Sequence, residues 1–122
     1  MELVIGGKSQ GKLKYILNLY DFKEEDVISG KLENASVIDH LESFIYFSLK
    51  EGSDPEKDIL DFVNCNPNSI FICNEVGCGI VPIDKFERKY RERVGQICCI
   101  LASKSSKVHR VISGVGSLIK NE

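Results

Sequence analysis

Residues 2–12 read ELVIGGKSQGK, a short apolar strand that runs directly into the pattern G-x-x-x-x-G-K. Gly6 and Gly11 begin and close the glycine spacing, and Lys12 ends the pattern. This spacing predicts a phosphate-binding loop, because glycines let backbone N–H groups converge on phosphate oxygens without a Cβ in the way. The helix expected after the loop points its N-terminus at the same anion, and the lysine adds a positive charge for the β- and γ-phosphates.

Nucleotide binding is the first function that this loop predicts, with GTP or ATP as the ligand; the alternative is a glycine-rich turn between a strand and a helix. The residues expected to contact the nucleotide are Gly6, Gly7, Lys8, Ser9, Gln10, Gly11 and Lys12. For Lys8 and Ser9 the alternative is a solvated loop position.

A Ser or Thr that binds Mg²⁺ normally follows the lysine, whereas this chain has Leu13. We therefore expect any Mg²⁺ site to be weak and ordinary Mg²⁺-assisted phosphoryl transfer to be lost or altered.

Composition describes an ordinary globular protein. The chain has 122 residues, 43% of them hydrophobic and 28% charged, with a net charge of −2. This length predicts a single domain over residues 1–122, and the charge gives no electrostatic case for nucleic acid or for a membrane surface. The five cysteines are odd in number and include no C-x-x-C pair. Reduced thiols in a cytoplasmic protein are the simplest interpretation.

Strand-like and helix-like segments alternate along the chain. Predicted strands cover residues 2–5, 35–39, 69–73 and 108–113. Predicted helices cover residues 12–20, 40–50, 55–64 and 83–101, the third of them capped by Asp54. The alternation predicts an α/β fold, a three-layer domain of the P-loop NTPase type with a mostly parallel sheet. Residues 21–34 are expected to form a short helix plus loop, and residues 74–82 a glycine-rich loop.

Two acidic residues lie where predicted strands end. Asp39 closes one strand, and Glu75 follows the next strand along the chain. Open α/β sheets bind ligands at the carboxyl ends of their strands, so we expect both acids near the phosphate loop. With Lys12 they are the candidate catalytic residues, and they are also the candidate Mg²⁺ ligands, directly or through water. The alternatives are a helix N-cap for Asp39 and a structural ion pair for Glu75.

Three further residues have more ordinary interpretations. His40 neighbours Asp39 and is a weaker acid–base candidate. His109 lies in a predicted strand, where a packed or exposed position is expected. Arg91 lies in a basic run that otherwise suggests a solvated helix face.

Four segments carry a family resemblance. The loop 6–12 is similar to G-G-x-x-S-G-K-S, residues 37–41 (VIDHL) to a strand ending in Asp/Glu-Cys-Leu/Val, and residues 74–82 (NEVGCGIVP) to N-E-V-G-x-G-I-V-P. Arg91 and Gly95 then fit R-D-x-x-G, and a Ser-Gly pair at 113–114 follows the last predicted strand. In this order the segments resemble the adenosylcobinamide kinase / adenosylcobinamide-phosphate guanylyltransferase family of cobalamin biosynthesis.

The resemblance implies a P-loop fold, GTP or ATP, a cobinamide-like small molecule as substrate, and a ring-like homo-oligomer. The departures from the family bear on catalysis. Family members are longer before the strand at Val37, and that stretch carries the histidine that takes up the guanylyl group. Here residues 21–34 contain no histidine. His40 stands where the family has Cys, so it does not inherit that role.

Three hypotheses follow. The first is a nucleotide-binding family member with lost or altered catalysis. The second is an active kinase or nucleotidyltransferase with a changed Mg²⁺ site. The third is an oligomeric structural or regulatory protein that binds no nucleotide. We favour the first, because Leu13 and the missing histidine argue against guanylyl transfer while the intact Lys12 argues against the third.

Overall fold

The structure is a computed structural model that describes residues 1–76 and 84–122. Its strands are β1 (Glu2–Gly6), β2 (Val27–Ser29), β3 (Val37–Asp39), β4 (Ile70–Asn74), β5 (Lys107–Ile112) and β6 (Val115–Asn121). Its α-helices are α1 (Lys12–Tyr20), α2 (Leu41–Lys50), α3 (Pro55–Cys65) and α4 (Lys85–Lys104), and a short 3₁₀ helix covers Glu24–Asp26. No helix in this part of the chain is long and apolar enough to cross a membrane.

The strands form a mostly parallel sheet in the order β2-β3-β4-β1-β5-β6. Every neighbouring pair is parallel except β5 and β6, which run antiparallel. β1 lies in the middle, and its last residue, Gly6, pairs in register with Asn74 at the end of β4. The predicted α/β fold of the P-loop NTPase type is confirmed.

Hydrophobic side chains on both faces of the sheet make three layers. Leu3, Ile38 and Phe71 point to one face, where they pack with residues of α2, α3 and α4. Val4 and Ile72 point to the other face, where they pack with Ile16 and other residues of α1. Successive side chains of a strand alternate between faces, so the nearly continuous apolar runs of β1 and β4 are what a sheet covered on both sides requires.

Capping residues set the helix starts. Asp54 accepts a hydrogen bond from the Lys57 N–H and Pro55 begins α3, as predicted. Asp84 accepts one from the Phe86 N–H at the start of α4. The predicted helix start at residue 83 and most of the predicted loop 74–82 lie outside the described residues. α4 ends at Lys104, three residues beyond the predicted end.

Two sequence-based expectations were wrong. Residues 21–34 contain not only a short 3₁₀ helix but also β2, an edge strand that pairs with β3. The strand at 108–113 is not the last one, because the chain turns at Ser113 and Gly114 and returns as β6. Both turn residues have positive φ, 50° and 79°, as two-residue hairpin turns require. Four of the seven β6 residues are Gly, Ser, Lys and Asn, so its apolar pattern is broken.

A buried polar network links β5, β1 and α1. His109 is 1% exposed; its Nε2 lies 2.7 Å from Glu2 Oε1, and its Nδ1 lies 2.8 Å from the Tyr15 hydroxyl. The Tyr20 hydroxyl donates to the same Glu2 oxygen at 2.6 Å. Of the packed or exposed positions expected for His109, the structure shows the packed one. The network satisfies polar groups that would otherwise be costly to bury.

We predict that His109→Ala lowers the free energy of unfolding by about 2–3 kcal/mol, because it opens a cavity, leaves the Tyr15 hydroxyl without this partner and leaves Glu2 with Tyr20 alone. Urea unfolding followed by circular dichroism measures the change. Ser117→Ala, at an exposed position of the neighbouring strand, is the control and should change stability by less than about 0.5 kcal/mol. Equal stabilities for the two variants would contradict a structural role for the network.

Candidate phosphate-binding site

The loop after β1 is shaped by close backbone approaches. A Cβ on Gly6 would lie 2.5 Å from the Val111 carbonyl oxygen, so only glycine fits there without a backbone shift. Gly11 precedes α1 with φ 85°, a left-handed conformation that glycine adopts at little cost. Ser9 adopts φ 60° without that freedom. The sequence therefore places glycine at two positions where the loop needs it.

The hairpin turn between β5 and β6 holds the loop from the side. The Gly114 N–H donates to the Gln10 carbonyl oxygen at 2.8 Å, and the Ser113 N–H donates to Gln10 Oε1 at 2.7 Å. Gln10, predicted as a nucleotide contact, thus uses its side chain to bind the turn. Sequence reasoning gave no role to this contact, which joins residues about a hundred positions apart.

Lys12 is the buried cation of the site. It is 6% exposed, and its Nζ donates to the Gly7 carbonyl oxygen at 2.7 Å. Burial lowers the pKa of Lys12, and the negative charges of Glu42 and Asp39 oppose that shift. The ammonium is therefore held at the loop by a backbone oxygen, while the carboxylates of Glu42 and Asp39 act on it through their charge.

Asp39 lies beside the loop at the end of β3 and is 8% exposed. Its Oδ1 accepts the N–H of His40 at 2.8 Å. His40, with φ 52° and ψ 48°, is itself the N-cap residue of α2, and no side chain caps that helix. The alternative interpretation of Asp39 as the N-cap is therefore wrong. Its carboxylate instead faces His40 and the cavity.

Glu42 is a carboxylate that sequence reasoning missed. It is 6% exposed, and its Oε1 accepts the backbone N–H of Asn74 at 2.9 Å. Its Oε2 lies 3.4 Å from His40 Nδ1, while Asp39 Oδ2 lies 3.7 Å from His40 Nε2. The imidazole thus lies between two buried carboxylates. The only sequence signal was an acid one position from the apolar stripe of a helix that follows a strand end.

A cavity of about 330 Å³ opens between the loop and the end of β3. Its lining residues are Lys8, Ser9, Gln10, Gly11, Lys12, Leu13, Lys14, Asp39, His40 and Asn74. Most of the predicted site residues therefore meet in one place. Gly6 and Gly7, at the start of the loop, do not line the cavity.

Glu75 points toward a different cavity. Its N–H donates to the Gly6 carbonyl oxygen at 2.8 Å, which ties β4 to the start of the loop. Its Oε2 lies 3.7 Å from the Arg110 guanidinium. Both residues line a second cavity of about 390 Å³, together with Arg91 and residues of α4. The ion pair is the alternative named for Glu75, although its charge still acts on Lys12.

Metal ligation rests on few groups. Within residues 1–76 and 84–122, no three His, Cys, Asp or Glu side chains gather closely enough to hold a metal ion. Leu13 contributes no oxygen at the position where a hydroxyl would meet Mg²⁺. Asp39 is the one predicted metal ligand that lines the loop cavity. These donors fit a cation bound largely through water better than a closed protein site.

Comparison with known proteins adds a family. The sequence profile of the family described as "Cobinamide kinase / cobinamide phosphate guanyltransferase" matches residues 32–119. The chain is 33% identical over 81 residues to the bifunctional adenosylcobalamin biosynthesis protein CobU of Salmonella typhimurium, covering 65% of this chain and 45% of that protein. It is 38% identical over 56 residues to the protein of the same name from Escherichia coli, covering 46% and 31%. Less than half of either relative is therefore spanned, and the profile match begins after the phosphate loop.

We predict that Gly6→Ala and Gly7→Ala differ sharply. At Gly6 the added methyl would meet the Val111 carbonyl oxygen at 2.5 Å, whereas at Gly7 the nearest atom is the Gln10 side chain at 3.6 Å, an ordinary contact. Gly6→Ala should cost about 2 kcal/mol of stability, and Gly7→Ala should cost little. Urea unfolding of the two variants measures the difference, and equal effects would show that the loop does not pack against β5 in this way.

Proposed function

The chain belongs to the cobinamide kinase / cobinamide phosphate guanyltransferase family, and we propose that it binds GTP or ATP with the phosphates on the loop from Gly6 to Lys12. The observation that supports this most is the buried Lys12 ammonium at the wall of the loop cavity. A phosphate oxygen would replace the Gly7 carbonyl oxygen as its acceptor. The N-terminus of α1 faces the same space and favours an anion.

The surrounding charges set a condition on binding. The carboxylates of Glu42, Asp39 and Glu75 all act on Lys12 through their negative charge. A triphosphate would therefore be attracted by one buried cation and repelled by three acids. Lys8 and Lys14 also line the cavity and are exposed, which places their charges in water where they contribute little. We expect affinity well below that of a phosphate loop without such acids.

Catalysis is altered in this proposal. Mg²⁺, when bound, would neutralise phosphate charge, and Asp39 would hold it largely through water. Asp39 lines the loop cavity, while Glu75 reaches it only through its charge. The site would hold a cation less firmly than one with a hydroxyl after the lysine. Nucleotide binding is therefore retained in this proposal, while efficient phosphoryl transfer is lost.

An active transferase acting on a cobinamide-like small molecule is the second candidate. The observation in its favour is that Lys12, Asp39 and His40 line one cavity.

The family resemblance also implies self-association. Ile112, Val115 and Ile119 of the β5–β6 hairpin are more than half exposed and supply apolar surface for it.

We predict that Lys12→Ala weakens GTP or ATP binding by about tenfold or more, because a charge-assisted phosphate contact contributes roughly 1.5–3 kcal/mol. Isothermal titration calorimetry measures the affinities, after thermal melting has shown that the variant folds. Lys14→Ala is the matched control, since Lys14 lines the same cavity but is exposed. Equal affinities for the natural chain and Lys12→Ala would contradict nucleotide binding through Lys12.

The metal prediction concerns Leu13, which lines the cavity and also packs against the core under α1. We expect Mg²⁺ to strengthen nucleotide binding only slightly in the natural chain and more in Leu13→Ser, whose hydroxyl supplies the missing ligand. The substitution should lower stability by about 1–2 kcal/mol through lost packing. Leu13→Ala, which loses the same packing and supplies no oxygen, is the control for that loss. A folded Leu13→Ser with no added Mg²⁺ dependence would mean either that the phosphates do not lie on this loop or that Leu13 is not the reason for the weak metal site.

A covalent test separates the two candidates further. Residues 21–34 lack the histidine that the family resemblance assigns to guanylyl transfer, so incubation with α-labelled GTP and Mg²⁺ should leave no label on the denatured chain. Label that survives denaturation and is lost in His40→Ala would overturn this prediction. It would make His40 a replacement nucleophile and favour the active transferase.

A further inference from the structure

Strand β6 lies at one end of the sheet, and within the described part of the chain no strand pairs with its outer side. It has seven residues, whereas β2 at the other end of the sheet has three. The last strand of a sheet presents backbone N–H and C=O groups to solvent, and proteins usually protect such an edge by short length, charge or proline. β2 is protected by its length, but β6 is long enough to accept a further strand.

The first five residues of β6, residues 115–119, form a stretch that we call the open edge. It contains no charged residue and no proline. Its two β-branched side chains, Val115 and Ile119, are each more than half exposed. The open edge therefore lacks the usual protection against pairing with another strand.

Two features end the open edge at Ile119. The register of the β5–β6 pair shifts between Leu118 and Lys120, which is a β-bulge. Lys120 is held against the end of α4, where its Nζ donates to the carbonyl oxygens of Ala102 and Ser103 at 3.0 and 3.1 Å. Bulges interrupt regular pairing, so a further strand can pair with residues 115–119 only.

The hairpin turn determines which backbone groups of the open edge face outward. Ile112 and Val115 flank the two-residue turn and pair with each other, as the hydrogen-bonded first and last residues of a β-turn do. Hydrogen-bonded and non-hydrogen-bonded pairs alternate along an antiparallel ladder, so Ser117 also directs its N–H and C=O toward β5. The N–H and C=O groups of Gly116 and Leu118 therefore point away from β5.

We propose that a second copy of this chain pairs with the open edge, antiparallel and about a two-fold axis at Ser117, so that the two sheets become one. Gly116 would exchange hydrogen bonds with the partner's Leu118, and Leu118 with the partner's Gly116. Ser117 then lies opposite the partner's Ser117, and Val115 opposite the partner's Ile119. Such a two-fold contact closes at two copies and does not by itself build a ring.

The side chains of the open edge complement one another in this register. Val115 and the partner's Ile119 would form an exposed β-branched pair, and the two-fold axis repeats that pair. Leu118 would lie opposite Gly116, which has no side chain and is covered by the Tyr15 ring, 2.0 Å from where a Cβ would be. Like charges do not face each other in this pairing, so a second copy fits the edge as its own complement.

The contact is small. A five-residue strand pair buries less than the standard protein interface of about 1,600 Å², so we expect a weak dimer that dissociates on dilution. The proposal rests on the self-association proposed above, gives it one surface, and is independent of nucleotide binding.

Sedimentation velocity of the full chain over a wide range of concentrations tests the dimer. The double variant Val115→Lys, Ile119→Lys places like charges opposite each other and should weaken dimerisation by about tenfold or more. Val115→Glu with Ile119→Glu should do the same, and an equal mixture of the two variants should restore the dimer, because each lysine then faces a glutamate. Phe47→Lys is the control, since Phe47 is also more than half exposed but lies on α2.

Cross-linking tests the register. Residues opposite each other in a non-hydrogen-bonded pair have Cα atoms about 4.5 Å apart, within the range of about 4.4–6.8 Å that a disulfide spans. In a chain with Cys65, Cys78 and Cys99 replaced by Ser, Ser117→Cys should give a covalent dimer with oxidised glutathione, joined through the introduced thiols in peptide mapping. Ser53→Cys, at an exposed position after α2, is the control and should give far less.

Circular dichroism shows whether each variant folds, and Ser117→Cys carries the test if the charged variants do not. A natural chain that stays monomeric at every concentration would overturn the proposal. An oligomer that persists unchanged in both charged variants would also overturn it, and would assign self-association to another surface. A mixture that does not dimerise, together with no cross-link in Ser117→Cys, would show that the pairing is wrong. Nucleotide binding is measured separately with Lys12→Ala, so none of these results bears on it.

Discussion

The central position of β1 between β4 and β5 is the constraint on which the site depends. Parallel pairing brings the carboxyl ends of these strands to one edge of the sheet, and the register places Gly6 beside Asn74. Gly6 can continue into the loop only because it has no Cβ to meet the Val111 carbonyl oxygen. Glu75, the residue after β4, binds the Gly6 carbonyl oxygen through its N–H. Strand pairing therefore brings Asp39 close to the candidate phosphate loop, and the hydrogen bond from the Asn74 N–H adds Glu42 of α2.

Sequence reasoning reached most of the fold because its signals were local. The apolar runs of β1 and β4, the glycine spacing of the loop and the Asp-Pro start of α3 are each read within a few residues. It missed β2 and β6 for a different reason. β2 has three residues and pairs on one side only. β6 is interrupted by polar residues, and its Val115 and Ile119 side chains are more than half exposed to solvent. Whether such segments become strands depends on the strand they pair with, β3 for β2 and β5 for β6, and not on their own residues alone.

The candidate site shows the same division. Lys12 and Asp39 followed from a motif and from a strand end, and both line the cavity. Glu42 could not be found in this way, since an acid near the start of an amphipathic helix is usually solvated; only the approach of the Asn74 N–H explains its burial. Glu75 was placed at the correct edge, but its side chain turns to Arg110. Side-chain direction at a strand end depends on which charges the rest of the fold brings there.

Leu13 connects packing with chemistry. At this position a hydroxyl would face the phosphates, whereas leucine adds an apolar side chain to the core between α1 and the sheet. The exchange favours folding of α1 by burial of apolar area and removes an oxygen from a site where buried carboxylates already outnumber the buried lysine. In the proposed nucleotide complex both effects act in one direction: the loop and its helix are stabilised, while the electric field at the phosphates would be less suited to stabilising the charge that develops during phosphoryl transfer. A chain under these constraints retains the architecture of a phosphate loop more easily than the electrostatics of a transferase.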